Sequence, residues 1–171
     1  MDKELEELII TKRHHEIVDV LKVIDENISD IVLGRNRMIY VDIGMERMIP
    51  LNLLGDGVRR IMMVILSIYN AKGGIVVIDE IESGLHYGVL KSLWRSVLRI
   101  ANETNVQLFI TTHNHETIKY LWECLNESDY VSYQEITKVF TIRKLEEGNH
   151  KAYKYDFDQL ENAINEQFEL R

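Results

Sequence analysis

The chain has 171 residues, which suits one domain of ordinary size and leaves little room for a second independent core. Hydrophobic residues make up 46% and charged residues 28%, with one Pro and nine Gly, which excludes disordered and fibrous classes. Acidic residues outnumber basic ones by 28 to 20, and the formal net charge of -8 gives no support to nucleic acid or an anionic membrane as a partner.

The N-terminal stretch MDKELEELII is acidic and lacks the basic and apolar regions of a secretory signal. No segment approaches the about 18 to 20 consecutive apolar residues that span a bilayer. A cytoplasmic protein with no membrane partner is therefore expected. From His14 to Ile28, apolar residues at 17, 20, 21, 24 and 28 recur at helical spacing and predict an amphipathic helix. Arg37 to Ile43 reads as a strand that ends at Gly44. Asp56 to Tyr69 reads as a helix opened by Gly55 and Gly57, with Ile61, Val64, Ile65 and Ile68 on one face. On that helix Met62 and Met63 read as core, whereas Arg59 and Arg60 read as solvated residues or partners for nearby acids.

Ile75 to Ile78 is a continuous apolar run, the pattern of a parallel strand covered on both faces. A helix over Leu90 to Ala101 and a second buried strand over Val106 to Thr112 complete a right-handed crossover unit. Glu116 to Leu125 is helical and contains Cys124, the single cysteine, which reads as a buried thiol with no catalytic role. Lys138 to Arg143 and Lys151 to Tyr155 form a predicted hairpin around Glu-Glu-Gly-Asn, and a last helix runs from Asp158 towards Arg171. One α/β layer structure over residues 1–171, with an antiparallel edge, is the expected architecture.

Three segments carry chemistry. Asp79 and Glu80 follow the first apolar strand directly, at the carboxyl end where open α/β sheets bind ligands. An Asp there can hold Mg²⁺ through its water shell, and the adjoining acid can orient or deprotonate a water that attacks a γ-phosphate. An acidic strand end facing solvent accounts for the pair equally well when it is seen alone. The next strand delivers His113 to the same edge, where an imidazole can donate to a phosphate oxygen as charge accumulates, although a polar cap on a strand end is the better account of one His seen alone. Gly55-Asp56-Gly57 opens a helix, so its backbone N–H groups can approach an anion, although a plain turn and cap has the same composition.

In this order, over roughly Pro50 to Leu125, the segments resemble the ATP-binding-cassette ATPases, in particular the soluble AAA-annotated branch of OLD-like and SMC-like proteins. The resemblance implies a P-loop NTPase-like layered sheet with helices on both faces, and ATP and Mg²⁺ as cofactors. It assigns Asp79 to the Walker B aspartate (metal through water), Glu80 to the catalytic glutamate and His113 to the switch histidine, with Asn114 where the family often has Ser. Gly55, Asp56 and Gly57 match the signature loop, which acts on ATP held by the opposite subunit. Ser83, Gly84, Leu85 and His86 resemble the D-loop at the dimer interface.

The phosphate-cradling sequence G-x-x-x-x-G-K-[ST] is absent, no Gly-Lys pair occurs, and no Q-loop is identifiable in residues 1–50. The expectation is the C-terminal half of such an ATPase, inactive alone, working as a homodimer or with a partner that supplies the Walker A half. Phe140 to Arg171 resembles the C-terminal end of these proteins, so no downstream nuclease domain is expected. A non-hydrolytic module that complements a loop-bearing partner is the first alternative. A metal-dependent hydrolase with His113, His115 and Asp79 as ligands is the second.

Overall fold

The computed structural model describes residues 2–35, 37–145 and 148–165. It divides into two compact units, Met1–His113 and Asn114–Arg171. No described helix is long and apolar enough to cross a membrane.

The first unit opens with helix α1 (Asp2–Ile10) and α2 (His15–Leu21). The helix expected to reach Ile28 stops at Leu21. Asp25 accepts from both the backbone and the side-chain amide of Asn27 at 3.0 and 2.8 Å, and this local turn competes with helical hydrogen bonding. Strands β1 (Asp30–Leu33), β2 (Ile39–Asp42) and β3 (Ile49–Pro50) then form an antiparallel sheet in that order. The strand expected from Arg37 begins two residues later, because Arg37 lies in the β1–β2 turn at φ 60°, with its amide donating to Gly34 O at 2.9 Å. β1 was not expected, although Ile31-Val32-Leu33 before Gly34 carries a strand-and-turn pattern.

Helix α3 (Asp56–Asn70) buries Val58, Ile61, Met62, Val64, Ile65, Leu66 and Ile68. It packs on α1, on α2 and on α4 (Leu90–Thr104), which buries Leu90, Leu93, Trp94, Val97 and Ile100. Of the two methionines expected in the core, Met62 is buried and Met63 is exposed.

Between these helices runs β4 (Ile75–Ile78), paired in parallel with β5 (Gln107–Ile110) through Ile75↔Gln107 and Ile78↔Ile110. The strand–helix–strand order with parallel pairing is as expected, but two-sided burial is not. Val76 and Ile78 are buried, whereas Ile75 and Val77 are 61% and 72% exposed and Phe109 on β5 is 52% exposed. Alternate strand residues face opposite ways. Here one face of the pair is covered and the other carries apolar side chains in the open.

The second unit contains α5 (His115–Leu125), the antiparallel hairpin of β6 (Val139–Lys144) and β7 (His150–Tyr155), and α6 (Phe157–Asn165). α6 packs on α5 and on β7, with Leu121, Cys124, Leu125, Leu160 and Ala163 buried. Cys124 is buried, as expected. The hairpin forms a two-stranded sheet of its own rather than an edge of the β4–β5 pair. Part of its expected turn, and the expected helix beyond Asn165, lie outside the described residues.

Candidate functional site

The parallel ladder continues past the ends of β4 and β5. Thr111 N donates to Ile78 O at 2.9 Å and Ile81 N to Thr111 O at 3.2 Å. This carries Asp79 and Glu80 alongside Thr111, whose hydroxyl donates to Asp79 Oδ1 at 2.5 Å and accepts from Glu80 N at 2.9 Å. One side chain thus fixes the Asp79 carboxylate and the Glu80 backbone together. Asp79 remains exposed, and an ionised carboxylate is a hard oxygen donor of the kind Mg²⁺ takes.

Glu80 adopts φ 47°, in the left-handed region that non-glycine residues rarely occupy. His113 Nε2 approaches Glu80 Oε1 to 3.6 Å, with the two side chains 81% and 49% exposed. The His113 backbone is anchored separately, its amide donating to Glu82 Oε1 at 3.0 Å. Asp79, Glu80 and His113 therefore stand together at one sheet edge, held by Thr111 and Glu82. Sequence reading had passed over both supports. A hydroxyl residue at the end of the second strand was the available signal for Thr111, whereas Glu82 had none.

The second cluster forms where α3 begins. Gly55, at φ -58° and ψ 156°, is the N-cap and contributes no side chain, which leaves the first-turn amides open. Asp56 pairs with Arg59 within that turn. A Cβ placed on Gly57 would lie 3.3 Å from Gly84 O and 3.4 Å from Leu85 Cδ2, so the helix start and the 83–86 loop meet at a point where a side chain would crowd the backbone. Gly84 itself has φ +75°. His86 Nδ1 accepts from Gly88 N at 3.2 Å and caps the short helical turn that follows. Gly57, Gly84, Leu85 and His86, with Val23 and Ile24, line an open cavity of about 420 Å³. Ser83 sits exposed beside it.

Of the two roles expected for Arg60, the solvated one does not hold, and as a partner of nearby acids it takes their backbone carbonyls rather than their carboxylates. Its Nη2 donates to Asp79 O at 2.5 Å and to Glu80 O at 3.0 Å, linking α3 to the acidic turn after β4. Arg59 keeps to the expected role as partner of a nearby acid. Among the described residues, no group of three or more His, Cys, Asp or Glu is placed to hold a metal ion, so a zinc set of His113, His115 and Asp79 gains no support.

A family model described as "AAA ATPase domain" matches residues 1–118. The chain is 27% identical over 124 residues to a protein named ATP/GTP phosphatase from Helicobacter pylori, covering 70% of the chain and 33% of that protein. It is 30% identical over 70 residues to an uncharacterized protein of Methanocaldococcus jannaschii, covering 41% of the chain and 61% of the relative. The chain thus spans about a third and about three fifths of the lengths of these relatives. Among solved structures, it resembles a chain described under ATP-driven dimerization and DNA-stimulated activation of SMC ATPases. That match has a TM-score of 0.54 at 9% identity and covers 93% of this chain and 95% of that one. It also resembles an SMC head bound to the C-terminal winged-helix domain of ScpA, with a TM-score of 0.57 at 12% identity, over 88% of this chain and 43% of that one. At such identities the likeness is one of fold, and the fold is that of the P-loop NTPase heads.

Proposed function

The chain belongs to the AAA ATPase domain family, and we propose that it forms the Walker B, signature and switch portion of an ATP-hydrolysing site that is completed across a dimer. The observation that carries this reading is the gathering of Asp79, Glu80 and His113 at the carboxyl ends of two neighbouring parallel strands, with Glu80 Oε1 and His113 Nε2 3.6 Å apart. The name of the Helicobacter pylori relative, an ATP/GTP phosphatase, supports nucleoside triphosphate hydrolysis as the reaction. The SMC chain matched over 95% of its length, and described under ATP-driven dimerization, supports assembly of two heads around nucleotide.

In this proposal Asp79 holds Mg²⁺ through water, its carboxylate kept in place by the Thr111 hydroxyl. Bound Mg²⁺ supplies charge neutralisation at the phosphate oxygens. Glu80 orients the attacking water and accepts its proton, and His113 donates to the γ-phosphate as negative charge builds up. Gly55, Asp56 and Gly57 present the open amides of the α3 N-terminus to the nucleotide of the opposite subunit. Gly84 and Leu85, which pack against Gly57, lie with Ser83 and His86 at the dimer interface in this reading. The 171 residues contain no G-x-x-x-x-G-K-[ST] loop and a second copy of them brings none, so in this reading another segment or a loop-bearing partner supplies it and the chain alone is inactive.

The outer face of β4–β5 agrees with such an incomplete sheet. Parallel strands occur almost only with both faces covered, yet Ile75, Val77 and Phe109 are exposed. The test is ATP turnover by the chain assembled with a segment bearing the phosphate loop. Glu80→Gln should lower kcat by about 10² to 10⁴-fold, the usual contribution of a general base. Unchanged turnover would remove Glu80 from the mechanism.

A further inference from the structure

The geometry points to Arg60 as a positioning residue that couples the signature end of α3 to the backbone conformation of Glu80. The inference rests on the ATPase reading above and adds a regulatory link between the two composite sites. A single guanidinium nitrogen, Nη2, takes both the Asp79 and Glu80 carbonyls, at 2.5 and 3.0 Å. Both oxygens must therefore converge on one side of the chain. The left-handed φ of 47° at Glu80 is the backbone feature that distinguishes this turn. Charge-assisted hydrogen bonds are the stronger kind, and here they stabilise a conformation that a glutamate otherwise avoids.

The arginine is not explained as a stability device. Its Nε is buried without a hydrogen-bond partner, and such a donor is a cost. What its place on α3 supplies is connection. Arg60 lies one helical turn beyond Asp56 and Gly57, on a helix whose first turn also packs Gly57 against Gly84 O. When the N-terminus of α3 engages a phosphate of the opposite subunit, the helix bears through Arg60 on the two carbonyls that orient Glu80. A site whose neighbour is empty then holds its catalytic carboxylate less well. Lys can also donate to two carbonyls, though without the planar fork of Arg.

The experiment uses Arg60→Ala and Arg60→Lys in the ATP-hydrolysing assembly, with Glu80→Gln alongside. Arg60→Ala should lower kcat about ten- to a hundredfold, with KM within about twofold and ATP-dependent association retained. Arg60→Lys should recover a measurable part of the lost kcat. In the chain alone, the Glu80 ¹³Cα and amide resonances should move away from left-handed values in Arg60→Ala and stay near them in Arg60→Lys. Wild-type kcat in Arg60→Ala, or loss of association together with kcat in both variants, overturns the coupling. If Glu80→Gln leaves turnover intact, the catalytic assignment of Glu80 fails by itself, and the resonances still decide whether Arg60 holds Glu80.

Discussion

The Thr111 hydroxyl donates to Asp79 Oδ1 at 2.5 Å, tying the end of one parallel strand to the first acid after the other. The same oxygen accepts from Glu80 N, so its single proton and one lone pair are both committed. Thr111→Val keeps the branched shape and removes both bonds. Thr111 is exposed, so water can replace the lost partners and the variant should unfold within about 1 kcal/mol of wild type. The carboxylate loses its fixed orientation, however, and ATP turnover in the complete assembly should fall about tenfold or more. Wild-type turnover in Thr111→Val would mean that Asp79 is oriented by other groups.

Val76 and Val77 test how far an apolar run reports burial. They are adjacent in β4, yet Val76 is buried and Val77 is 72% exposed. Val76→Ala should cost about 1.5 to 3 kcal/mol through lost transfer energy and an unfilled space. Val77→Thr should stay within about 0.5 kcal/mol. Urea denaturation of the two variants measures the difference. Equal losses would show that the outer face of the sheet is covered in solution.

The same run shows what the sequence made legible. Continuous β-branched residues identified a parallel strand, and the register with β5 brought Asp79, Glu80 and His113 together, as strand order predicts. Burial was legible only in part, because the run records that both faces are apolar and not whether anything lies over them. Arg60 was legible only in part because periodicity places it on a helix face but says nothing of a turn 19 residues away. Helix α1 and strand β1 went unread. Their patterns are short, and much of what holds them is packing of Leu5, Leu8 and Ile31 against the rest of the unit.

Tyr69 and Glu16 give the chain a pH signature away from the candidate site. Tyr69 Oη donates to Glu16 Oε2 at 2.7 Å, and Glu16 also receives Arg13 Nε at 2.8 Å. Burial, then the hydrogen bond and charge of Glu16, raise the phenol well above its ordinary 10.0. Its contribution to stability is therefore complete below about pH 10 and is lost as pH rises towards the folded value. Burial raises the Glu16 carboxyl, but hydrogen bonds from Arg13 and Tyr69 outweigh it and leave the group below its ordinary 4.5. That contribution is present above pH 4.5 and is lost as pH falls below it. Tyr69→Phe should remove the alkaline loss in urea midpoints recorded from pH 8 upward and cost about 1 kcal/mol at neutral pH. Glu16→Gln should flatten the acid limb. An alkaline limb unchanged in Tyr69→Phe would place its origin in another tyrosine.

Glu80 pairs a chemical role with a costly backbone. A non-glycine residue in the left-handed region costs about 1 to 2 kcal/mol, and here φ is 47°, held by the Thr111 hydroxyl on the amide and Arg60 on the carbonyls. Glycine relieves that strain but loses more conformational entropy on folding, by about 0.5 to 1 kcal/mol. Glu80→Gly should therefore be more stable than wild type by about 0.5 to 1 kcal/mol while removing the carboxylate altogether. Glu80→Gln removes the charge, keeps the backbone cost and should unfold within about 0.5 kcal/mol of wild type. The difference between the two variants in chemical denaturation isolates the backbone contribution. If they unfold at the same midpoint, the turn after β4 carries no strain, and Glu80 owes its position to its hydrogen bonds alone.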